Sequence, residues 1–242
     1  MEFIKTYRTP AAAQQAQAHQ TWLAQLGMPV APVLARHGRH LVLARVNGSH
    51  LVSEQLPEAA LLLGRAHTAA HQRFLTSARL GEGCTVPDVG PLEPFTAPRI
   101  RRVRALLATG NVPGAVFTAS EGGHLVASAA DEPAAFYKDA NPRNFLHTPT
   151  GIIAVDFDDL TLAPFGYDLA KLIVTTAMTY GPLPAPLTRR TINAYNRHVP
   201  YPVPPDRLNQ WMEIHHILTS PYLGRNGYTR SWHTLRRETQ IR

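Results

Sequence analysis

Cysteine and lysine are scarce in this chain of 242 residues. The single cysteine, Cys84, excludes an internal disulfide and any metal site built from several cysteines. No apolar run reaches the roughly 18 residues of a membrane span, so no span is expected. The opening residues, MEFIKTYRTP, lack the apolar core and small-residue cleavage site of a signal peptide, so a cytoplasmic location is expected.

Lysine scarcity makes each lysine informative. Of 24 basic residues only Lys5, Lys138 and Lys171 are lysines, and the rest are arginines. This bias, together with abundant Ala, Pro and Leu, indicates a GC-rich coding sequence, against which these lysines stand out. The formal charge of +7 is compatible with an anionic ligand or nucleic acid. No nucleic-acid-binding motif accompanies the charge, so nucleic acid is the less favoured partner.

The predicted elements form a small strand-helix-strand-strand unit followed by a mostly helical unit with one hairpin. The first strand is EFIKTYR, and the next helix has Thr9 as its N-cap and Pro10 at its first position. Residues 81–98 are rich in glycine and proline, which predicts a loop. Further helices are predicted at residues 57–75, 99–110, 166–180, 187–198, 206–224 and 229–242.

The hairpin lies within FYKDANPRNFLHTPTGIIAVDFDD, residues 136–159. NFLH and IIAV have the composition of strands, and TPTG carries turn signals. A turn centred between Pro149 and Thr150 pairs residues whose numbers sum to about 299, which puts Asn144 opposite Val155 and beside Asp156. Asp139 precedes Asn144 by five residues and enters the same end of the hairpin.

Acidic residues gather at that end of the hairpin. Clustered carboxylates repel one another unless a cation or several donors stabilise them. Asn144 and Asp156 offer hard oxygen ligands that suit Mg²⁺ bound together with phosphates and water, and Asp139 could take a proton from a hydroxyl. The competing interpretation is that these residues only cap turns. The acids between Pro133 and Pro205 are Asp139, Asp156, Asp158, Asp159 and Asp168.

Three motifs then resemble a known family in order and spacing: Asp139 with Asn144, VDFD from Val155, and GYDLA from Gly166. They are similar to the His-Gly-Asp-x₄-Asn loop, the Ile-Asp-Trp/Phe-Glu/Asp strand end and the Tyr/Phe-Asp-Leu-Ala helix start of the aminoglycoside phosphotransferase and choline kinase family. FIKTY resembles that family's lysine strand, and HLVLARVNG resembles the strand before its hinge. The resemblance implies an α+β, protein-kinase-like two-lobe fold with a truncated N-lobe at 1–47 and a mostly helical C-lobe at 48–242.

The resemblance also implies roles for individual residues. Asp139 would be the catalytic base or would orient the hydroxyl, and Asn144 and Asp156 would hold Mg²⁺. Lys5 would contact the α- and β-phosphates of ATP. Backbone groups near Ala44 and Val46 would bond adenine, with Leu43 beside it, and Asp168 would brace the catalytic loop from the start of a helix.

The sequence also departs from the family. The lysine strand is the first strand that this sequence predicts, so an N-lobe without the glycine-rich loop that covers the phosphates is expected. The competing explanation is that Met1 is not the true start and that upstream codons supply the loop. The helix after the lysine strand has no Asp or Glu, so Lys5 is expected to lack its usual carboxylate. We therefore expect weak ATP binding and closure of the phosphate site by a partner protein, a second subunit or the substrate. Tyr137 and Lys138 replace His-Gly. The arginines at positions 99, 101, 102 and 104 are expected to form a solvated face, and the alternative is a patch that binds an anion or an acidic peptide.

The leading functional prediction is an ATP- and Mg²⁺-dependent kinase that acts on a hydroxyl of a small molecule, such as an antibiotic or a sugar-like compound. Only eleven residues separate Asp156 from Asp168, which leaves little room for a peptide-docking activation segment. The alternatives are a Ser/Thr kinase that acts on a peptide in natural-product tailoring, and a pseudokinase-like partner protein that binds nucleotide without turnover.

Overall fold

A computed structural model describes residues 1–156, 158 and 160–239. Its N-terminal part is an antiparallel sheet with strand order β1-β3-β2 and one flanking helix. The bounds are β1 Glu2–Thr6, α1 Pro10–Gln25, β2 Val33–His37 and β3 His40–Ala44. Thr9 caps α1 as predicted, because its hydroxyl oxygen accepts a hydrogen bond from the amide nitrogen of Ala12 at 3.1 Å.

The remainder of the described chain is mostly helical, with short strand pairs inserted. Its helices are α2 Leu56–Ala70, α3 Thr96–Ala108, α4 Ala119–Ala127, α5 Tyr167–Tyr180, α6 Ala185–Asn196, α7 Pro205–Thr219 and α8 Trp232–Thr239. Its strands are β4 Ser49–His50, β5 Cys84–Val86, β6 Gly90–Leu92, β7 Ala134–Tyr137, β8 Phe145–Thr148, β9 Gly151–Ala154 and β10 Thr161–Pro164. None of the helices in the described part is long and apolar enough to cross a membrane.

Two groups of buried apolar residues hold these elements. A small group within the N-terminal part contains Ala16, Leu41 and Leu43. The large core belongs to the helical part, but Trp22 and Leu23 of α1 are buried in it as well. Helix α1 therefore attaches the N-terminal sheet to the main core. A lobe boundary after residue 47 stays a prediction.

The hairpin has the register that the sequence predicted. Phe145 pairs with Ala154 and Thr148 with Gly151, so that paired numbers sum to 299. The amide nitrogen of Val155 then donates to the carbonyl oxygen of Asn144 at 2.9 Å. Asn144 itself ends a 3₁₀ turn that runs from Pro142 instead of beginning the strand. Phe157 and Asp159 of the predicted hairpin segment lie outside the described residues.

Two features differ from the predictions. The segment 81–98 is not a plain loop: β5 pairs with β6, and α3 begins at Thr96, because Val86, Leu92 and Phe95 are buried apolar anchors among the glycines and prolines. The sequence analysis missed strands β7 and β10, which pair antiparallel. Ala134 lies opposite Pro164, and Tyr137 lies opposite Thr161. Each strand has four residues and is largely buried, so neither shows the alternation that marks a half-exposed strand.

Candidate active site

The loop after β7 is held by backbone hydrogen bonds to one buried carboxylate. Asp168, in the first turn of α5, accepts from the amide nitrogen of Lys138 at 2.9 Å and from that of Ala140 at 2.7 Å. The residue between them, Asp139, has a φ of 62°, a left-handed conformation that Asp adopts more readily than most residues. The predicted bracing role of Asp168 is confirmed, and it holds Asp139 in this strained conformation.

The carboxylate of Asp139 has three polar neighbours. Asn141 Nδ2 donates to its Oδ2 at 3.3 Å. The Tyr137 hydroxyl donates to its Oδ1 at 2.6 Å, and Lys171 Nζ lies 3.2 Å from the same atom. Burial alone would raise the pKa of Asp139, but the Lys171 charge and the hydrogen bonds from Tyr137 and Lys171 outweigh it and leave the pKa below its ordinary value. The lowered pKa keeps the carboxylate ionised, and the side chain is 48% exposed, so it is accessible to a ligand. It is suited to orienting a hydroxyl and to accepting its proton late in the reaction.

Lys171 is a site residue that the sequence analysis did not assign. It lies on α5 three residues after Asp168, so both side chains face the catalytic loop from one side of the helix. Its pKa is raised, because the charge of Asp139 outweighs burial, which lowers it. The scarcity of lysine was the available signal, since the three lysines all lie in or beside this site.

The predicted metal ligands lie side by side at the end of the hairpin. Asn144 donates from Nδ2 to the carbonyl oxygen of Asp139 at 2.9 Å, which leaves its Oδ1 as the atom that can face a cation. Asp156 follows Val155, the residue opposite Asn144, and has a φ of 64°. Within the described ranges no group of three His, Cys, Asp or Glu residues could hold a metal ion, so this pair would need phosphate or water oxygens as further ligands.

Lys5 lacks a carboxylate from α1, as expected, but it pairs with two aspartates that the sequence analysis did not assign to it. Its Nζ lies 2.5 Å from Asp156 Oδ1 and 2.8 Å from Asp158 Oδ2. The Tyr7 hydroxyl donates to Asp158 at 2.9 Å. The prediction considered only the helix after Lys5, whereas both carboxylates come from about 150 residues later in the chain. Burial lowers the pKa of Lys5, but the bonds to these two aspartates outweigh it and raise the pKa overall.

The side chains around Lys5 are of the chemical type that binds a divalent metal ion. One cation already lies between the carboxylates of Asp156 and Asp158, and the oxygen ligands of both are of the hard type that Mg²⁺ binds. The amide oxygen of Asn144 belongs to the same end of the hairpin. The residues present therefore suit a divalent cation coordinated also by a phosphate.

A cavity of about 710 Å³ opens next to Lys5 and Asp156, a volume typical of small-molecule sites. Leu43, Ala44 and Val46 line it, which brings the predicted adenine-binding residues to the same cleft as Lys5. The amide nitrogen of Ala44 donates to the carbonyl oxygen of Pro32 at 2.8 Å, whereas Val46 lies beyond the last paired residue of β3. Val46 is therefore the better placed of the two to donate to a base.

Arg99 was predicted to belong to a solvated face, but it is half-buried and packs against aromatic rings. Its guanidinium lies 4.5 Å from the centre of the Phe95 ring and 5.1 Å from that of Tyr137, and it donates to the Thr161 hydroxyl at 2.7 Å. It therefore packs behind Tyr137 and supports that ring. The neighbouring arginines of α3, at positions 101, 102 and 104, are exposed as expected.

Comparisons with known proteins agree with this arrangement. A sequence profile of the phosphotransferase enzyme family matches residues 3–205. The fold is similar to an amicoumacin kinase solved with AMP-PNP, Ca²⁺ and its ligand, with a TM-score of 0.65, 13% identity, and coverage of 90% of this chain and 72% of that one. It is also similar to a streptomycin-bound aminoglycoside phosphotransferase of Streptomyces rimosus, with a TM-score of 0.56, 16% identity and coverage of 88% and 84%. A choline kinase of Cryptosporidium parvum gives a TM-score of 0.55, 14% identity and coverage of 92% and 75%.

No curated protein sequence matches the chain significantly. The profile covers well over half of the chain, so the protein belongs to the phosphotransferase enzyme family. It has the α+β, kinase-like fold of these neighbours and is a phosphotransferase with an alcohol group as acceptor.

Proposed function

We propose that this enzyme uses ATP and Mg²⁺ to phosphorylate a hydroxyl of a small molecule. The observation that carries the proposal is that Lys5 and Asp156 pair in the lining of a cavity large enough for a nucleoside. Asn144, which is bonded to the backbone of Asp139, lies at the same end of the hairpin as Asp156. These residues come from three separate stretches of the chain. A lysine, an oxygen-ligand pair and a separate carboxylate are the parts that phosphoryl transfer requires.

Each residue has a distinct role in this proposal. ATP lies in the cavity with its base against Leu43 and Val46, and its phosphates reach Lys5. Asn144 and Asp156 hold Mg²⁺, which neutralises charge on the phosphates and positions the transferred group. Asp139 orients the acceptor hydroxyl, and Tyr137 and Lys171 hold the carboxylate of Asp139 in place.

A small acceptor is favoured over a peptide by the path of the chain after Asp156. Residues 161–164 form β10, which pairs with β7, and α5 begins at Tyr167. This short connection follows the core closely, which leaves no long segment to dock a peptide. The neighbours solved with streptomycin and amicoumacin ligands support the same class of acceptor.

The experiment is a screen of hydroxyl-bearing small molecules and serine- or threonine-containing peptides with ATP and Mg²⁺, in which mass spectrometry detects the gain of one phosphoryl group. The proposal expects a phosphorylated small molecule with wild-type protein and loss of that product with Asp139→Asn. Phosphorylation of peptides alone would favour the peptide kinase. ATP binding without any transfer would favour a pseudokinase.

A further inference from the structure

Two basic residues lie on elements that flank Asp139 and do not line the nucleotide cavity. Arg143 is in the turn four residues after Asp139, and Lys171 is on α5. Lys171 contacts Asp139 directly, and its side chain is only 11% exposed. Arg143 belongs to the 3₁₀ turn that follows Asp139 and stands 5.9 Å from the centre of the Tyr228 ring.

Arg143 has an unused donor in this position. Its Nε is buried and has no hydrogen-bond partner within residues 1–156, 158 and 160–239. A buried guanidinium N–H without an acceptor is costly, and an oxyanion is the group that a guanidinium binds best. Since Nε itself is buried, a ligand oxygen would meet the terminal nitrogens of this guanidinium, which belongs to the same loop as Asp139.

The elements around this position carry almost no negative charge. Residues 169–205 and 214–237 contain no Asp or Glu. The two acids between these stretches do not supply a free carboxylate beside Arg143 and Lys171. Asp206 lies in the first turn of α7, and Glu213 is buried in contact with Arg236 and Trp232. A polycationic acceptor would need carboxylates here to pair with its ammonium groups, and this part of the chain does not supply them.

The nearby loop provides a wall for a ligand. Tyr228 is buried beneath the loop that begins at Tyr222, and the amide nitrogens of Thr229 and Arg230 both donate to the carbonyl oxygen of Met178 in α5. Tyr222 and Leu223 are exposed at 43% and 39%. The wall is anchored to the helix that carries Lys171, so it stays beside the catalytic loop.

We propose that Arg143 and Lys171 form an oxyanion subsite beside Asp139, and that the acceptor is a hydroxyl compound that carries a carboxylate or a phosphate group. This inference rests on the proposed function, since it assigns the acceptor side of the same site. Arg143 binds the oxyanion directly, and Lys171 adds positive potential while it holds Asp139.

The test compares three small alcohols of different charge: 2-hydroxyethyl phosphate, glycerate and choline. Dissociation constants are measured by calorimetry with ADP and Mg²⁺ present, for wild type, Arg143→Gln, Arg143→Lys and the exposed control Arg102→Gln. At least one anion should bind wild type at least about tenfold more tightly than choline, and Arg143→Gln should remove most of that difference, as expected for loss of one hydrogen bond between charged groups. Arg143→Lys should restore part of it, and Arg102→Gln should match wild type. The phosphate and carboxylate arms show which oxyanion is preferred.

The inference is overturned if choline binds as tightly as both anions, if neither anion binds, or if Arg102→Gln weakens the anions as much as Arg143→Gln. A parallel titration with AMP-PNP examines the other source of an oxyanion, the nucleotide itself. If Arg143→Gln weakens AMP-PNP relative to ADP and leaves the anionic alcohols unaffected, the residue serves the γ-phosphate and the acceptor assignment is wrong. If ADP binds neither to wild type nor to the variants while the anions still bind in an Arg143-dependent way, the subsite stands and the proposed nucleotide function fails.

Discussion

Asp139 is the residue on which the proposed chemistry depends, and its backbone conformation decides which substitution should test it. Because its φ is 62°, alanine would add backbone strain, whereas asparagine tolerates this region and keeps the shape of the side chain. We expect Asp139→Asn to reduce kcat by roughly 10²–10⁴-fold, since the group that orients the hydroxyl and accepts its proton is lost. The measurement is initial-rate kinetics on an acceptor found in the screen.

The matched control for Asp139→Asn is Asp88→Asn. Asp88 has a φ of 61° and is exposed on the turn between β5 and β6, away from the cleft. It should retain wild-type kcat. Wild-type turnover by Asp139→Asn would show that Asp139 is only a loop residue.

Tyr137 should act on the reaction through Asp139. Tyr137→Phe keeps the ring that packs against Arg99 and removes the hydroxyl that donates to Asp139 at 2.6 Å. We expect kcat to fall by about 3–20-fold, the effect of one hydrogen bond, with KM for ATP unchanged. The lower limb of the kcat–pH profile should also move to higher pH, because that hydrogen bond lowers the pKa of Asp139. A change in KM for ATP with an unshifted profile would contradict this positioning role.

At the scale of elements, Gly166 controls how α5 presents Asp168 and Lys171. Its φ is 82°, and a Cβ on it would lie 2.5 Å from Val203 Cγ2. Gly110, with a φ of 70° and open space within 4 Å of the point where a Cβ would lie, is the matched control for the backbone effect alone. We expect Gly166→Ala to lower the free energy of unfolding by roughly 2–4 kcal/mol and Gly110→Ala by about 1 kcal/mol.

Urea denaturation of both variants measures this difference. Adding Val203→Ala to Gly166→Ala should relieve the clash and recover part of the loss, whereas it should only destabilise the Gly110→Ala protein. Equal losses for the two glycine variants would show that the contact with Val203 is unimportant.

The elements also show what a sequence of this kind can predict. The hairpin register could be predicted because turn signals and strand pairing are local. The Asp168 brace, which joins residues 30 positions apart, could be predicted only from the resemblance to a known family. The three ion pairs of the site could not be predicted. Lys5 reaches Asp156 across 151 positions and also reaches Asp158. Lys171 reaches Asp139 from the next helix. Such pairs depend on how the N-terminal sheet and α5 dock on the core, which residue spacing does not encode. Closure of the phosphate site by a partner stays a prediction.

At the scale of the whole molecule, buried histidines should make stability depend on pH. Burial, followed by the charge of Lys138, lowers the pKa of His67 to about 3, and burial also lowers the pKa of His216 to about 4. The unfolded chain binds protons near pH 6.5 and the folded chain does not, so stability is complete above that pH and falls as the pH drops toward 4. Burial raises the pKa of Asp168 to about 6. Asp168 therefore acts in the opposite direction, because below pH 6 the folded chain binds a proton there that the unfolded chain still lacks.

His216→Gln isolates one of these contributions, because glutamine can still donate to the Pro113 carbonyl oxygen that His216 contacts at 2.8 Å. Between pH 6 and 4.5, we expect the variant to lose stability less steeply than wild type, by about 1.4 kcal/mol per pH unit. Urea denaturation across this range measures the slope, with the exposed His124→Gln as control. Parallel slopes for His216→Gln and wild type would show that His216 does not titrate differently in the two states.

The central claim is that Lys5, Asn144 and Asp156 form a Mg²⁺–ATP site, and calorimetric titration with ATP tests it most directly. Wild type, Asp156→Ala and Asp88→Ala are each titrated with and without Mg²⁺; the last variant places alanine at a similar left-handed φ outside the cleft. The account predicts that Mg²⁺ strengthens ATP binding to wild type and Asp88→Ala by about tenfold or more, and that Asp156→Ala loses this dependence because its charged ligand is gone. Binding of ATP to Asp156→Ala that Mg²⁺ strengthens as much as in wild type would contradict it.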